Sequence, residues 1–421
     1  MTLRKSKTMS KLETLIQQLC PEGVEYKKLG DIAVDVFRGS GIKREEVTET
    51  GTPCVRYGEI YTTYDVWFDT CISHTDASKI ASAKYFEYGD ILFVITGESV
   101  KDIAKCCAYV GHERCLAGGD IVVLRHNQDP KYLSYALSTT DAQQQKSKGK
   151  VKSKVVHSSV PAIKELVVPV PPLEIQREIV RILDNFTELT AELTAELTAE
   201  LTARKKQFQF YHKQFFEFKK SDCIQIVCIK DICELLTGYP FDSSQFTATG
   251  IHLLRGMNIK RGILDYSESN NRYWNSVQGY EKFLLSTDDI VIAMDGSLVG
   301  KSYAQVKSNH LPSLLVQRVT RVRVTKANAH YIYHYISSGA FTRYVEKKKT
   351  GGAVPHISLK DIANFKIPLP SENMQKEIAD SLDRFDALCN DLTSGLPAEI
   401  AARQKQYEYY RDKLLTFKPL A

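Results

Sequence analysis

The sequence predicts an α+β protein with internal pseudo-two-fold symmetry, in which two mixed α/β domains are separated by two long antiparallel helices packed as a coiled coil. Three observations predict it: a duplication at a fixed offset, strand-type patterning in the front of each copy, and an unusually long helical pattern in the back.

The duplication is clearest where Pro169 pairs with Pro368, Pro171 with Pro370, Gln176 with Gln375, Glu178 with Glu377, Ile179 with Ile378, Leu183 with Leu382 and Phe186 with Phe385, always 199 residues apart. Self-similarity at a fixed period marks a repeated structural unit. The offset continues downstream, where ARKKQFQFYHKQFFEFK from Ala203 lies against ARQKQYEYYRDKLLTFK from Ala402. Upstream it weakens but still pairs Arg56 with Arg255, Asp90 with Asp289, Gly97 with Gly296, Tyr132 with Tyr331 and His157 with His356. Its register loosens between 110 and 130. Divergent fronts and matched backs imply that the fronts do different jobs and the backs the same one.

The fronts read as β-rich, mostly antiparallel. Short apolar runs such as Asp90–Thr96, Asp120–Arg125, Asp289–Met294 and Arg318–Val324 are separated by Gly, Asn and Asp turn signals. A short helix follows in each, KYLSYALSTTDA and HYIYHYISSGAFTRYV, with apolar residues at helical spacing.

The backs open after proline-rich extended stretches, which suit a helix start rather than a helix interior. Ile175, Ile179, Ile182, Phe186, Leu189 and Leu193 then recur every three or four residues, as on a packed helix face. The first copy contains TELTAELTAELTAELTA, Thr187–Ala203, built from strong helix formers, and predicts one unbroken helix from Glu174 to Phe218. Leu189, Leu193, Leu197 and Leu201 form its expected apolar stripe, and Phe186, Phe385, Leu388 and Leu392 are expected to pack with it. In the second copy Gly395 and Pro397 predict a break near 394 to 397, since proline costs about 3 kcal/mol inside a helix.

With 421 residues and 43% hydrophobic content the chain has material for real cores, and its net charge of +6 only hints at an anionic partner. The ten cysteines form no CxxC or Cys/His ligand set and predict reduced, inert thiols, with no metal. No apolar run reaches the length of a signal peptide core or a membrane span, so the expectation is a soluble cytoplasmic chain.

The Thr-Ala-Glu-Leu repeats, EIVRILDNFTEL, RKKQFQFYHKQFF and their second-copy counterparts EIADSLDRFDAL and RQKQYEYYRDKLL resemble the conserved regions of type I restriction-modification specificity subunits. The likeness is strongest to the branch with tetrapeptide repeats between its two target recognition domains. It implies target recognition domain 1 over 1–160, a first conserved helical region over 161–222, target recognition domain 2 over 223–360 and a second conserved region over 361–421. It further implies a non-catalytic subunit that reads a bipartite asymmetric site in double-stranded DNA. Two modification (methyltransferase) subunits and the restriction (translocase/nuclease) subunits would dock on it and carry S-adenosylmethionine, ATP and Mg. No cofactor is expected on this chain. One tetrapeptide adds about 6 Å and a net rotation of about 40° to a helix. A base pair advances about 3.4 Å and turns roughly 35°. The angle matches one base pair while the length overshoots, which makes the repeat helix a candidate ruler between half-sites.

Candidate DNA contacts fall in both copies. Lys146, Lys148, Lys150, Lys152 and Lys154 alternate, so an extended segment would put them on one face, and Lys347, Lys348 and Lys349 keep that character in the second copy. Arg56-Tyr57 and Arg255 with Asn258, Lys260 and Arg261 occupy equivalent loops, and arginine and asparagine suit base readout. Either could equally be structural, with an arginine capping carbonyls or pairing a carboxylate. Arg38, Lys43, Arg44 and Tyr239 lie near equivalent turns, and Lys101, Lys301 and Arg343 complete the set. Thr96–Ser99 and Asp295–Ser297 read as strand-end turns, and His157 and His356 as locally packed.

No glycine-rich phosphate loop, Asn-Pro-Pro-aromatic motif or nuclease cluster stands out. The rival readings are a coiled-coil scaffold for protein partners, which leaves the paired lysine segments unexplained, and a self-sufficient DNA methyltransferase of unusual sequence.

Overall fold

A computed structural model describes residues 10–149, 155–218, 224–350, 355–390 and 394–420. The chain divides into two compact units, Met1–Glu196 with Ile400–Ala421, and Leu197–Glu399.

In the first unit, among the described residues, one five-stranded sheet runs in the order Ala33–Arg38, Ile121–His126, Ile91–Val94, Cys106–Tyr109, Trp67–Phe68. A second is built around Thr52–Val55 and Cys115–Ala117, which pair in parallel. The second unit repeats the plan with the order Cys233–Thr237, Val319–Val324, Ile290–Ala293, Tyr303–Gln305, and a smaller sheet around Ile251–Leu254 and Ser313–Leu315. The central strands are buried on both faces, which explains their continuous apolar runs. Ile91, Phe93, Val122 and Leu124 face a core that takes in Ile175, Ile179 and Leu183, while Leu92, Val94 and Val123 face Val55, Ile60 and Phe86. Ile290, Ile292 and Val322 share a core with Ile378 and Leu382 in the second unit.

Each expected short helix is two helices. Pro130–Leu137 precedes Thr140–Ser147, and Ala329–Tyr335 precedes Phe341–Lys348 across a wide turn, Ile336–Ala340, in which Gly339 adopts φ 85°.

One joint recurs in both units. The buried Gln176, in the first turn of helix Leu173–Gln214, accepts a hydrogen bond from the Asp129 backbone N–H at 2.9 Å and donates to the Pro171 carbonyl at 2.7 Å. Gln375, in the first turn of helix Glu372–Asn390, takes the Asn328 N–H at 2.9 Å and donates to the Pro370 carbonyl at 2.8 Å. Beside it the buried Tyr132 hydroxyl donates to Pro169 and that of Tyr331 to Pro368. Two-stranded ladders, Tyr26–Lys28 with Val167–Pro169 and Gln225–Cys228 with Lys366–Leu369, complete the attachment. The proline stretches are therefore edge strands, where a missing N–H is tolerated.

The first helix is continuous from Leu173 to Gln214, 42 residues and about 63 Å, four residues shorter at its end than the sequence suggests. Within the first unit Thr187 meets the Tyr407 hydroxyl at 2.9 Å and Phe186 the ring of Tyr410 at 6.0 Å, so Leu396–Leu414 runs antiparallel to it. Within the second unit Phe208 and Tyr211 pack on Phe385. The second-copy helix breaks as expected: Glu372–Asn390 ends, and Leu396–Leu414 starts with Pro397 in its first turn and the Gly395 carbonyl accepting from Ala398 and Glu399. Leu392 lies outside the described residues.

The apolar stripe differs from the leucine row. Leu189 is 64% exposed, Leu193 and Leu201 are half-buried, and Leu197 is 8% exposed. Four residues advance 400° on a helix, so a leucine every fourth position walks about 40° per repeat around the rod. The buried line instead steps by four and three residues through Leu183, Thr187, Thr190, Thr194, Leu197 and Leu201. Phe186 and Leu388, expected inside, are also partly exposed.

Two outcomes follow from these attachments. Gln176→Ala leaves the Asp129 N–H and the Pro171 carbonyl without partners in a largely buried joint, and each such group costs about 1–3 kcal/mol, so chemical denaturation should show a loss of about 2–6 kcal/mol in the first unit. A loss below that of an exposed substitution contradicts the joint. The second concerns pH. Lys131 pairs with Asp184 at 2.8 Å, whereas the equivalent His330 lies 2.7 Å from Asp383 and 3.2 Å from Asp288. The Asp383 hydrogen bond leads in raising His330 above its ordinary 6.5. A raised folded pKa gives stability that is fully present below 6.5 and lost as pH rises through the higher folded value. Burial, with His334 nearby, holds His212 down at about 4, an effect that matters only below its ordinary 6.5. Hydrogen exchange, corrected for intrinsic rate, should therefore show Ala329–Tyr335 losing protection as pH rises above the ordinary 6.5 while Pro130–Leu137 does not. Parallel behaviour of the two helices contradicts it.

Candidate nucleic-acid interface

In each unit three strand ends and one turn meet at a corner between the two sheets. In the first, Gly39 N–H donates to Ile121 at 2.8 Å, Ser40 to Ala117 at 2.8 Å, Gly118 to Val55 at 2.8 Å and Ile95 to Asp120 at 3.0 Å. In the second the same four bonds run from Gly238 to Val319 at 3.0 Å, Tyr239 to Leu315 at 3.0 Å, Val316 to Leu254 at 3.1 Å and Met294 to Arg318 at 2.9 Å. A side chain on Gly39 would strike the Gly118 and Ala117 carbonyls, and one on Gly238 the Val316 carbonyl, so glycine is required where the strands close.

These bonds bring together Arg38, Arg56 and Tyr57 in the first unit and Tyr239 and Arg255 in the second. Arg56 and Arg255 each precede a helical turn whose third residue, Glu59 or Asn258, accepts their backbone N–H. Their side chains turn inward. Arg56 Nε donates to Glu59 at 2.9 Å, and Glu59 also accepts from Ser73. The Arg255 guanidinium donates to the Asn270 carbonyl at 2.7 Å. Burial, then the charge of Arg272, lowers the pKa of Arg255. Asn258 is 1% exposed and spends its amide on the Asp265 and Asn270 carbonyls. The structural reading holds for Asn258, which is corrected here: it is a buried brace and presents nothing to a base. Tyr57 is exposed, and Tyr239 caps an aromatic cluster with Phe241, Tyr280 and Phe283.

The residues that follow the lysine segments in sequence pair at the same corner. Strand Val156–His157 pairs with Thr96–Gly97, and Ser158 N–H donates to Ile95 at 2.8 Å; in the second unit Ile357 donates to Met294 at 2.8 Å and His356 bridges Asp295. Both histidines are exposed on these short pairings. Lys146 is a second correction. It belongs to helix Thr140–Ser147 rather than to an extended run, and its buried ammonium donates to the Leu137 carbonyl at 2.8 Å near the Phe93 ring. Lys148, Lys347 and Lys348 are exposed, and Lys349 pairs with Glu346 at 2.6 Å. Lys150, Lys152 and Lys154 lie outside the described residues. Lys43, Arg44, Lys101 and Lys260 are exposed and Lys301 is half-buried. Arg261 and Arg343 line a separate cavity of about 720 Å³ with Lys205, His212 and His334.

The patterning missed Asp120, Asp295 and Arg318. Arg38 donates to the Gly119 carbonyl and pairs with Asp120 at 2.7 Å; Arg318 pairs with Asp295 at 2.7 Å. The bonds to Ile95 and Met294 make Asp120 and Arg318 equivalent at an offset of 198, inside the stretch where the repeat register slips. Among the described residues no group of three His, Cys, Asp or Glu is arranged to hold a metal ion.

The brace predicts that Asn258→Ala lowers the thermal midpoint, at a cost of about 1–3 kcal/mol for each of the Asp265 carbonyl and the Arg255 N–H left unpaired, while any sequence preference of the folded fraction stays unchanged. Altered preference with undiminished stability contradicts the assignment.

The sequence matches the family described as type I restriction modification DNA specificity domain over residues 21–203 and again over 222–402. It is 35% identical over 254 residues to the specificity subunit of the type I restriction enzyme EcoR124I/EcoR124II of Escherichia coli, covering 59% of this chain and 61% of that one. It is 29% identical over 406 residues to the putative type I restriction enzyme MjaX specificity subunit of Methanocaldococcus jannaschii, covering 87% and 88%. The fold resembles a chain from a study of complex assembly and conformational transition in a type I R-M system, with TM-score 0.64, 16% identity and coverage of 94% and 98%. It also resembles the HsdS subunit of Thermoanaerobacter tengcongensis, with TM-score 0.53, 15% identity and coverage of 94% and 96%. The chain belongs to the type I restriction-modification DNA specificity family and carries two copies of the family's domain.

Proposed function

We propose that this chain is the DNA-binding specificity subunit of a type I restriction-modification complex, reading a bipartite asymmetric site and performing no chemistry itself. The observation that carries this reading is the twice-built corner: the same four backbone bonds hold divergent polar side chains in each unit, with exposed lysines close by in sequence. Two modification subunits dock on the chain and supply S-adenosylmethionine for adenine methylation, and restriction subunits add ATP- and Mg-dependent translocation and cleavage. The matched helical backs are the parts of the chain suited to a partner that binds twice, since both copies retain them. The scaffold alternative gives no role to charged corners that differ between the copies.

The boundary between the units falls within helix Leu173–Gln214, at Glu196 and Leu197, inside the tetrapeptide repeats. The number of repeats therefore fixes the covalent connection between the two readers. Deleting Thr194–Leu197 removes one repeat, about 6 Å and a net rotation of about 40°. Modified-base sequencing of DNA methylated by the reconstituted complex should show both specific blocks unchanged and the unspecified run between them shortened by one base pair. An unchanged run overturns the ruler.

A further inference from the structure

We propose that Arg318, aimed by Asp295, reads a guanine edge in the half-site of the second domain, and that Arg38, aimed by Asp120, does the same in the first. The inference rests on the DNA-reading function above and assigns its base-contacting residues.

Equivalence of position comes from the backbone. The residue just before the strand that pairs with the first strand of the sheet gives its carbonyl to Ile95 in one unit and to Met294 in the other. That residue is Asp120 in the first copy and Arg318 in the second, so the charge at this one place is inverted. Each copy then recruits the opposite charge from a different neighbour. Arg38 precedes the closing Gly39, where the second copy has Thr237 before Gly238. Asp295 precedes Gly296, where the first copy has Thr96 before Gly97. An arginine–aspartate pair has thus been built twice on one sheet corner from different positions. A salt bridge kept for the fold would have been inherited on the same two positions.

Stability gives little reason for either pair. The arginine side chains are 57% and 68% exposed, and exposed ion pairs contribute about 0–1 kcal/mol. Arg318 moreover adopts φ 65°, a left-handed conformation that a residue with a side chain adopts at a cost, and such strain gathers at functional sites. What the carboxylate does is hold the planar guanidinium in one orientation. Arg318 gives one terminal nitrogen to Asp295, and Arg38 gives Nε to Gly119 and one terminal nitrogen to Asp120. Each keeps further N–H donors on a side chain that is more than half exposed. A fixed fork with spare donors fits the two acceptors, O6 and N7, that guanine presents in the major groove. Arg56 and Arg255, in the same corner, suit this part less, because both are more buried and turn toward their own domain, Arg56 onto Glu59 and Arg255 onto the Asn270 carbonyl.

The test is methylation of a random-sequence DNA library by the complex reconstituted with its modification subunits, read by modified-base sequencing. With Arg318→Ala, discrimination at one guanine position of one block should fall about 10- to 100-fold, with the other block and the slope of binding against salt retained. Arg38→Ala should do the same to the other block only. Arg318→Lys keeps charge and loses the fork, and should relax the same position; Asp295→Asn should relax it partly. The block left intact within the same molecule reports that the variant is folded. An unchanged motif in Arg318→Ala overturns the proposal, and so does uniform weakening on all sequences, which identifies a phosphate contact. A wild-type complex that yields no two-block motif overturns the DNA-reading function itself, an outcome separable from either of these.

Discussion

A buried glutamine in the first turn of a helix fixes each globular domain to its rod, and the remaining geometry depends on it. Gln176 and Gln375 sit where a proline-ended strand becomes a helix, and their amides accept from the domain while donating to the strand. The tyrosine beside each adds a second bond to the same strand. Buried amides must have partners, so the joint has one satisfied geometry and resists bending. A domain attached in this way turns with its helix. On the function proposed above, a change in helix length would then be felt at the surface each domain carries.

Much of this was legible in the sequence. The offset of 199 pairs the glutamines, tyrosines and prolines of the joint, the glutamines and prolines in the part of each copy that has changed least and the tyrosines at its weaker upstream edge. Continuous apolar runs marked the central strands, and Gly395 with Pro397 marked the break between the second-copy helices. Sequence pattern speaks directly to such features because they depend on local periodicity and on backbone rules.

The corner was less legible. Asp120 and Arg318 occupy one place, yet the register slips by one residue there and their charges are opposite, so no alignment of like with like would pair them. Burial was misjudged where a residue type suggested one role and the surroundings imposed another. Lys146 tucks its ammonium under a helix end, and Asn258 closes a turn. The leucine row misled for a geometric reason, since a period of four drifts against 3.6 residues per turn and threonines share the buried line. Tertiary partners decide these cases, and single-sequence patterning does not contain them.

The central claim is that two differently built corners on one chain read two different short sequences at a fixed separation. It is tested most directly by mapping the bases methylated by the wild-type complex on random-sequence DNA at single-base resolution. The account predicts two specified blocks of unlike sequence, separated by an unspecified run of constant length. A single contiguous motif, a palindrome, or two blocks at variable separation would contradict it.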